Sequence, residues 1–327
     1  MIRIGRDELI TLAASIAAFA VLACLPLLTD GFWLTLSVNI VLYSAVCTAW
    51  SLFSGPTHLV SLATAAFFGV GTYAVALGID VLPFPLLLLI GGVAAALLAG
   101  IVGWATLRIS GVYFVVFTLG LAELIRQVVA WLQTKFAGKI GLYVFTDFTE
   151  AHLYWMLLAL TAVVFLTGWL ISRSRLGFAM RIIGNDEGVA RHVGINVAGA
   201  KIVLFMVSGA FIGVAGAMMA PRYAFIEPQS AFNPMISFLV VIMALLGGTG
   251  RLWGPLVGVI PFTIVIDYIS GRFPNHTSII VGVAFLAIVY LLPNGVTGRL
   301  QDVFRHLFSK RRSTAPRLAK TAEEEKA

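Results

Sequence analysis

Hydrophobic residues occur along this chain in long, nearly unbroken runs separated by short polar stretches. A run of about 20 apolar residues is the length that an α-helix needs to cross a lipid bilayer. The runs predict membrane-spanning helices at roughly 9–28, 32–54, 59–78, 84–107, 111–132, 152–172, 200–220, 235–248, 254–270 and 277–292. The predicted fold class is therefore an all-α polytopic membrane protein with about ten transmembrane helices, in a range of roughly nine to eleven.

Glycine-rich interruptions break this pattern once in each half of the chain, at Gly69–Gly71 and at Gly247–Gly250. The predicted eighth helix is short and ends in glycine, which is typical of re-entrant or broken helices. The second interruption has two interpretations, a tight turn or a hinge between two transport states, and both stay open. The hinge candidates are Gly247, Gly248, Gly250, Gly254 and Pro255.

Composition and charge agree with a membrane protein. The chain is 60% hydrophobic and 11% charged, whereas a soluble domain is about 25% charged. This composition excludes an ordinary soluble enzyme and a disordered chain. The net charge is +7, and basic residues flank the apolar runs at both ends of the chain and in a central loop at 173–199. That is the positive-inside pattern rather than a nucleic-acid-binding surface, so both termini and the loop are predicted to be cytoplasmic.

The same pattern divides the chain into two parts. Residues 1–300 form the predicted transmembrane domain, which includes the 173–199 loop. Residues 301–327 form a predicted cytoplasmic tail that is basic at its start and polar at its end. We expect this tail to anchor on the anionic inner leaflet and to be partly disordered.

The 173–199 loop is the most informative polar segment. Its sequence predicts a short helix at 176–183 and a second helix with Asn185 as its N-cap and Gly194 at its end. The polar side chains that the two helices present are Arg181, Asp186, Glu187, Arg191 and His192. Two interpretations stay open: a helix that lies on the lipid surface, or a docking helix for a cytoplasmic partner protein.

Charged residues inside the predicted spans are the next candidates, because a charge in the bilayer is costly and usually faces the protein interior. Glu123 and Arg126 are three residues apart on one helix and can neutralise each other. They form either a structural ion pair or part of a solute path. Asp267 lies in the predicted ninth span with Arg272 just beyond it, and is either a paired group or a coupling carboxylate of an ion-driven carrier.

The sequence carries no recognisable catalytic, metal or nucleotide motif. The histidines are widely spaced without an HExxH pattern, so we predict no metal site. The Gly69-Val-Gly71 segment lacks a preceding strand, and the Ala137-Gly-Lys-Ile140 segment lacks the rest of a P-loop. We therefore predict that the chain is not an enzyme and binds no cofactor itself.

Four blocks of the sequence resemble the permease subunits of branched-chain-amino-acid-type ABC importers, in the LivM-like branch. The blocks occur in the family's order at Ser61–Tyr73, Leu107–Arg126, 173–199 and Leu246–Gly258, with Leu292-Pro-Asn-Gly295 following the last. They are spread over most of the chain. Each block by itself is moderately specific, and the signal lies in their joint order.

The resemblance implies a permease subunit of a binding-protein-dependent importer for branched-chain or other amino acids or similar small solutes. The implied mechanism is alternating access, driven by ATP hydrolysis with magnesium on partner subunits. The implied partners are a second, LivH-like permease, two cytoplasmic ATP-binding subunits, a periplasmic solute-binding protein and the lipid of a bacterial inner membrane. The implied coupling residues in the central loop are Arg181, Asn185, Asp186, Glu187, Arg191 and Gly194. The alternative function is an ion-coupled secondary transporter, with Glu123 and Asp267 as coupling groups.

The first two blocks supply the candidates for the solute path: Ser61, Thr64, Phe67, Gly69, Gly71, Tyr113, Thr118, Glu123 and Arg126. The first block departs from the family pattern, since Thr64 stands where a histidine is usual and Ala63 where a glycine is usual. The loop from Lys135 to Leu142 also lacks the family's Thr-Gly-Gly. These departures suggest that the solute is another amino acid, an amide or an aromatic acid rather than leucine, isoleucine or valine.

Overall fold

The computed structural model describes residues 19–27, 29–107, 111–137 and 141–291. Its α-helices are α1 (Phe32–Thr57), α2 (Thr64–Gly78), α3 (Phe84–Thr106), α4 (Val112–Ala137), α5 (Glu150–Arg173), α6 (Arg175–Asn185), α7 (Glu187–His192), α8 (Val197–Met219), α9 (Pro228–Ala231), α10 (Pro234–Gly247), α11 (Gly254–Arg272) and α12 (Thr277–Leu291). Short 3₁₀ turns lie at Leu25–Leu27, Ala220–Arg222 and Pro274–His276. Strands β1 (Leu142–Tyr143) and β2 (Phe225–Ile226) pair antiparallel, with Leu142 opposite Ile226.

The predicted polytopic helical architecture is confirmed. In the described part of the chain, seven helical segments are long and apolar enough to cross a membrane: α1, α3, α4, α5, α8 extended to Arg222, Pro228–Gly247, and α11. Shorter apolar helices cover Thr64–Gly78 and Pro274–Ile288. A total of ten spans and the cytoplasmic placement of the termini stay predictions. Most of the predicted first span, 9–28, and the whole tail, 301–327, lie outside the described residues.

The long helices run back and forth between two ends of one bundle. At the first end, called the α6–α7 end, Gly184 packs on the end of α1, so that an added Cβ would lie 2.6 Å from the carbonyl oxygen of Pro56. At the opposite end, called the β1–β2 end, α1 begins close to the start of α5. There the Thr35 hydroxyl donates to Glu150 Oε2 over 3.0 Å.

Helix α8 lies at the centre of the bundle and packs on α2 and α3 along a seam of glycines. A Cβ on Gly71 would lie 1.8 Å from the carbonyl oxygen of Gly213, and a Cβ on Gly216 would lie 2.0 Å from that of Phe68. A Cβ on Gly91 would lie 3.2 Å from the Cα of Gly71. Small residues are needed here because the helix backbones themselves are in contact.

The first predicted glycine break is wrong. Gly69 and Gly71 lie inside the continuous helix α2. Gly69 faces the ring of Phe232, and an added Cβ would lie 2.2 Å from that ring. Gly71 faces α8. These glycines are present for close packing rather than for a change of chain direction.

The real interruption comes earlier, at residues 58–63, between α1 and α2. Helix α1 ends at Thr57, and the next residue, His58, has a left-handed φ of 56°, a conformation that often ends helices. The chain then runs without helical structure through buried residues before α2 begins at Thr64. Helix α2 therefore begins five residues later than the predicted span at 59–78. The Trp50 indole N–H donates to the carbonyl oxygen of Ser61 over 2.8 Å, which satisfies one of the freed backbone groups.

Two hydroxyl side chains satisfy further backbone groups of this non-helical segment. Thr118 of α4 accepts the backbone N–H of Leu62 over 3.0 Å. Ser237 of α10 accepts the backbone N–H of Ala65 over 2.9 Å and donates to the carbonyl oxygen of Leu62 over 2.8 Å. Non-helical backbone is tolerated inside a membrane protein only where such internal partners are present.

The second predicted glycine break is confirmed as the end of a helix. Helix α10 ends at Gly247, Gly248 has a φ of 93°, and α11 begins at Gly254. The two helices are in backbone contact, since a Cβ on Gly254 would lie 1.8 Å from the carbonyl oxygen of Gly248. Pro255 lies in the first turn of α11, where it needs no backbone N–H. The geometry is that of a tight turn, and a hinge motion at these residues stays a prediction.

The glycine seam can be tested with two matched substitutions. We expect Gly71→Ala to lower the free energy of unfolding by about 1–3 kcal/mol or more, because its Cβ overlaps the α8 backbone. Gly282→Ala in α12 is the control, since nothing lies within 4 Å of its added Cβ. Thermal midpoints of the two variants in detergent provide the measurement. Equal midpoints would contradict the close approach of α2 and α8.

Candidate functional site

Helix α6 packs against the ends of the spanning helices α1, α5 and α8. Its Met180 and Ile183 side chains are buried in the main hydrophobic core. The hydroxyl of Ser174 caps its start by accepting the Gly177 N–H over 3.3 Å. The Arg181 guanidinium donates to the carbonyl oxygen of Ser172 over 2.5 Å, at the end of α5. These contacts attach the 173–199 loop firmly to the spanning helices.

The N-cap of α7 differs from the prediction. Asn185 is the last residue of α6, and Asp186 is the cap. The Asp186 carboxylate accepts the backbone N–H groups of Gly188 over 2.7 Å and Val189 over 3.2 Å. The reason is that α6 continues past residue 183, where it packs on the end of α1, so the first extended residue is Asp186. An acid at this position also interacts favourably with the helix dipole.

The C-terminal end of α7 agrees with the prediction. Gly194 has a left-handed φ of 82°. Its N–H donates to the carbonyl oxygen of Arg191, and the N–H of Ile195 donates to that of Ala190, both over 3.0 Å. This pair of hydrogen bonds is a Schellman motif, which ends the helix and turns the chain toward α8.

Lys201 is a residue of this site that the sequence analysis missed. It lies near the start of α8, and only 4% of its side chain is exposed. Its ammonium group contacts the carboxylate of Glu187, which also lies 3.7 Å from the Arg191 guanidinium. The signal was present in the sequence, since a lysine is the second residue of the predicted span at 200–220. Through this pair, α7 is attached directly to the central helix of the bundle.

The outer surface of the 173–199 loop exposes three large apolar side chains. Phe178 of α6, Val189 of α7 and Val193 are all more than half exposed. They share this surface with the exposed Asp186, Arg191 and His192. Exposed apolar side chains beside charges fit both interpretations of this loop, contact with the lipid surface and contact with a partner protein.

The first group of path candidates lies in the packed interior. Ser61, Thr64 and Phe67 are all buried, and the Phe67 ring packs on that of Phe205 at a centroid distance of 5.3 Å. The Thr64 hydroxyl is buried without a hydrogen-bond partner among the described residues. The structure brings these residues together with Gly69 and Gly71 on α2. Their role in a solute path stays a prediction.

The second group lies on α4, the least buried of the candidate spans. Only 17% of its span is buried, compared with 33–61% for the other six. Thr118 faces the bundle, whereas Tyr113 is 78% exposed. The other large apolar side chains exposed on α4 are Val112, Val116, Phe117, Leu124, Val128, Trp131 and Leu132. We call this surface the α4 face.

A polar cluster interrupts the α4 face. Arg126 Nε donates to Glu123 Oε2 over 2.8 Å, and Gln127 Nε2 donates to Glu123 Oε1 over 3.0 Å. The side chain of Glu123 is 46% exposed and that of Arg126 is 24% exposed. The two residues form the predicted ion pair, and the pair remains open to the outside of the bundle.

A second polar cluster, also missed as a group by the sequence analysis, lies at the β1–β2 end. Arg222 donates to Asn39 Oδ1 over 2.8 Å and lies 3.4 Å from Glu150 Oε1. Asn39 in turn donates to Asp267 Oδ1 over 3.4 Å. Asp267 is thus hydrogen-bonded by an amide rather than paired with Arg272. Among the described residues, no group of three or more His, Cys, Asp or Glu side chains is placed to bind a metal ion.

The sequence was compared with known families and proteins. The family model described as branched-chain amino acid transport system / permease component matches residues 32–289. The permease protein LivM of Escherichia coli (strain K12), from a high-affinity branched-chain amino acid transport system, is 26% identical over 277 residues. That match covers 74% of this chain and 64% of LivM.

Two further relatives match over shorter lengths. LivH of the same transport system and strain is 30% identical over 130 residues, which is 39% of this chain and 42% of LivH. The autoinducer 2 import system permease protein LsrC of Klebsiella pneumoniae is 29% identical over 160 residues, which is 46% of this chain and 44% of LsrC. No solved structure matches the chain.

The family match extends from the first described long helix to the last, and it includes the 173–199 loop, the α4 face and both polar clusters. It is thus a match to the whole helical bundle rather than to one motif. The chain is a multi-pass membrane protein and belongs to the family of branched-chain amino acid transport system permease components.

Proposed function

We propose that this chain is the transmembrane permease subunit of a binding-protein-dependent ABC importer in a bacterial inner membrane. The observation that carries the proposal is the 173–199 loop, which is folded, exposed on one side and attached to α8 on the other. Relatives named as permeases of branched-chain amino acid and autoinducer 2 transport support the same conclusion. ATP and magnesium bind to partner subunits, and two cytoplasmic ATP-binding subunits supply the energy.

The exposed surface of the 173–199 loop is the docking site for an ATP-binding subunit. The apolar side chains of Phe178, Val189 and Val193 fill a groove on that subunit, and Arg191 beside them meets an acidic rim. When ATP binding closes the partner subunits, α6 and α7 move with them. The contact between Glu187 and Lys201 transmits this motion to α8.

The α4 face is the surface that meets the second permease subunit. A half-exposed carboxylate in the middle of an apolar membrane face is costly against lipid. The cost disappears if the cluster of Glu123, Arg126 and Gln127 faces polar groups of a partner or a water-filled path. The two permeases together then form the solute path, which alternately opens to each side of the membrane.

The solute is a small polar or amphipathic molecule such as an amino acid, an amide or an aromatic acid. The relatives are named for the transport of chemically different solutes, so the family fold does not select one. The α2 segment of this chain carries Thr64, whose buried hydroxyl is unpartnered among the described residues. A hydroxyl at this position gives a different chemistry from the histidine that is usual in the family.

Purification of the intact chain with its partners tests the importer function and locates the docking site. We expect Val189→Asp to release the ATP-binding subunits, because it puts a carboxylate on the docking surface while remaining compatible with the first turn of α7. The control is Val81→Asp, at an even more exposed valine in the turn between α2 and α3, and this variant should retain the ATP-binding subunits. Mass spectrometry of the two purified complexes gives the result.

Two outcomes of that experiment would contradict the proposal. Equal recovery of ATP-binding subunits with both variants would remove the docking site from the 173–199 loop. Recovery of the chain alone, with solute uptake that survives ATP depletion and is abolished by an ionophore, would favour the ion-coupled secondary transporter.

The Glu187–Lys201 contact predicts a stability difference between single and double variants. Glu187→Gln leaves a buried ammonium without its carboxylate, so we expect a loss of about 1–3 kcal/mol. Adding Lys201→Met should restore most of that loss, whereas transport should remain low because the charged link is gone. Thermal unfolding and ATP-driven uptake in proteoliposomes measure the two effects. If the double variant transports normally, the pair has a structural role only.

Crosslinking tests the α4 face. A photoreactive amino acid at Leu124 of α4 should crosslink to the second permease subunit. The control is the same replacement at Leu97 of α3, because both leucines are 57% exposed. Protein crosslinks from position 97 and none from position 124 would place the subunit interface elsewhere.

A further inference from the structure

A cavity of about 320 Å³ lies between α1, α8, α10 and α11, toward the β1–β2 end. Its polar lining is formed by Asn39, Tyr43, Arg222, Tyr223, Thr263 and Asp267. Sites that enclose small molecules begin at roughly this volume. The cavity is partly open, and none of its lining residues belongs to the α4 face, so the two are separate features.

The two charged groups of the lining are joined by one amide. Asn39 accepts a hydrogen bond from Arg222 over 2.8 Å and donates one to Asp267 over 3.4 Å. The Asn39 side chain therefore bridges the Arg222 guanidinium and the Asp267 carboxylate. Both charged groups line the same cavity. This arrangement presents a donor group and an acceptor group to a single bound molecule.

Both charged groups keep hydrogen-bonding capacity for a ligand. A guanidinium has five N–H donors, and the contacts of Arg222 with Asn39 and Glu150 occupy only some of them. The Asp267 carboxylate has no Lys, Arg or His nitrogen within 4.0 Å among the described residues. Its hydrogen bond from Asn39 is long, at 3.4 Å.

The charges at this end favour a ligand that carries an ammonium group. Arg222 is already balanced by Glu150, so Asp267 leaves the cluster with an excess negative charge. A simple carboxylic acid would be repelled by that excess. A simple amine would leave the remaining Arg222 donors unused. A zwitterion satisfies both groups, with its carboxylate at Arg222 and its ammonium at Asp267.

The rest of the cavity wall is apolar. Leu42, Met219, Met243 and Ile266 line it together with the polar groups. Apolar walls with a few fixed polar groups are typical of small-molecule sites, and methionine side chains adapt to differently shaped ligands. A ligand with a zwitterionic head and a short apolar side chain matches both parts of the lining.

We propose that this cavity is a binding site for a small neutral α-amino acid, whose head group lies between Arg222 and Asp267. The inference rests on the proposed function for its place in transport, and on the geometry alone for the binding itself. The bound amino acid lies beside α8, the helix that the 173–199 loop contacts through Lys201. Movement of α8 would then alter the cavity during each transport cycle.

A thiol-protection experiment on the full complex tests the site. Cys24 and Cys47 are replaced by alanine, and Ile266→Cys places one thiol in the cavity wall. The complex in nanodiscs is labelled with a small maleimide in the presence of alanine, methionine or phenylalanine. Each amino acid is compared with the carboxylic acid that lacks its amino group and with the amine that lacks its carboxylate.

We expect at least one of the amino acids to slow the labelling in a saturable way. Its acid and amine counterparts should require about 10- to 100-fold higher concentrations, because each loses a charge-assisted hydrogen bond. Equal protection by the carboxylic acid would make the cavity an anion site and overturn the proposal. Absence of protection by all three amino acids would overturn it as well.

Charge-neutralising variants identify the two head-group contacts. Asp267→Asn should weaken protection by the amino acid and leave protection by the carboxylic acid unchanged or improved. Arg222→Gln should weaken protection by the amino acid and leave that by the amine unchanged. The controls are Asp80→Asn and Arg272→Gln, which are exposed and do not line the cavity. A general loss of structure would weaken protection by every compound and would not produce these opposite patterns.

Failure of this inference can be distinguished from failure of the proposed function. If the complex contains ATP-binding subunits but no amino acid protects the cavity, only the binding site is wrong. If the cavity is protected in a chain that binds no ATP-binding subunit, the site stands and the importer function is wrong.

Discussion

Backbone contact between α2, α3 and α8 is the interaction on which the rest of this structure depends. Helices in a bilayer gain little from burying apolar surface against each other, because lipid is as apolar as leucine. Their association relies on close packing, and here glycines let α8 approach the carbonyl oxygens of α2 directly. The position of α8 then fixes both proposed sites, since Lys201 lies near its start and Arg222 lies just beyond its end.

A second constraint is the need to satisfy every backbone polar group away from water. The non-helical stretch at 58–63 is possible because Trp50, Thr118 and Ser237 reach it from α1, α4 and α10. Thr118, which the sequence analysis treats as a path candidate, thus has a structural role as well. The same hydrogen bonds join three helices to one short segment, so this region couples α2 to both the α4 face and the α10–α11 pair.

The two proposed sites are connected through one helix. At the α6–α7 end, α7 is attached to α8 by the contact between Glu187 and Lys201. At the β1–β2 end, Arg222 follows α8 directly and takes part in the cavity lining. A rigid helix of this length transmits displacement along its axis, because its backbone hydrogen bonds run in that direction. In the proposed mechanism, α8 carries the motion produced by ATP binding from the 173–199 loop to the cavity.

The sequence by itself determined the membrane-spanning class, the approximate extent of most helices, the glycine turn at residues 247–254 and the end of α7 at Gly194. These features follow from local hydrophobicity and from the conformation of single residues. Only the tertiary structure decided that Asp186 rather than Asn185 caps α7, because packing of α6 on α1 extends that helix. It also decided that Asn39, Arg222 and Asp267 meet, although 183 and 228 residues separate the bonded pairs. Such convergence depends on which helices pack together, and glycine contacts between distant segments set that packing.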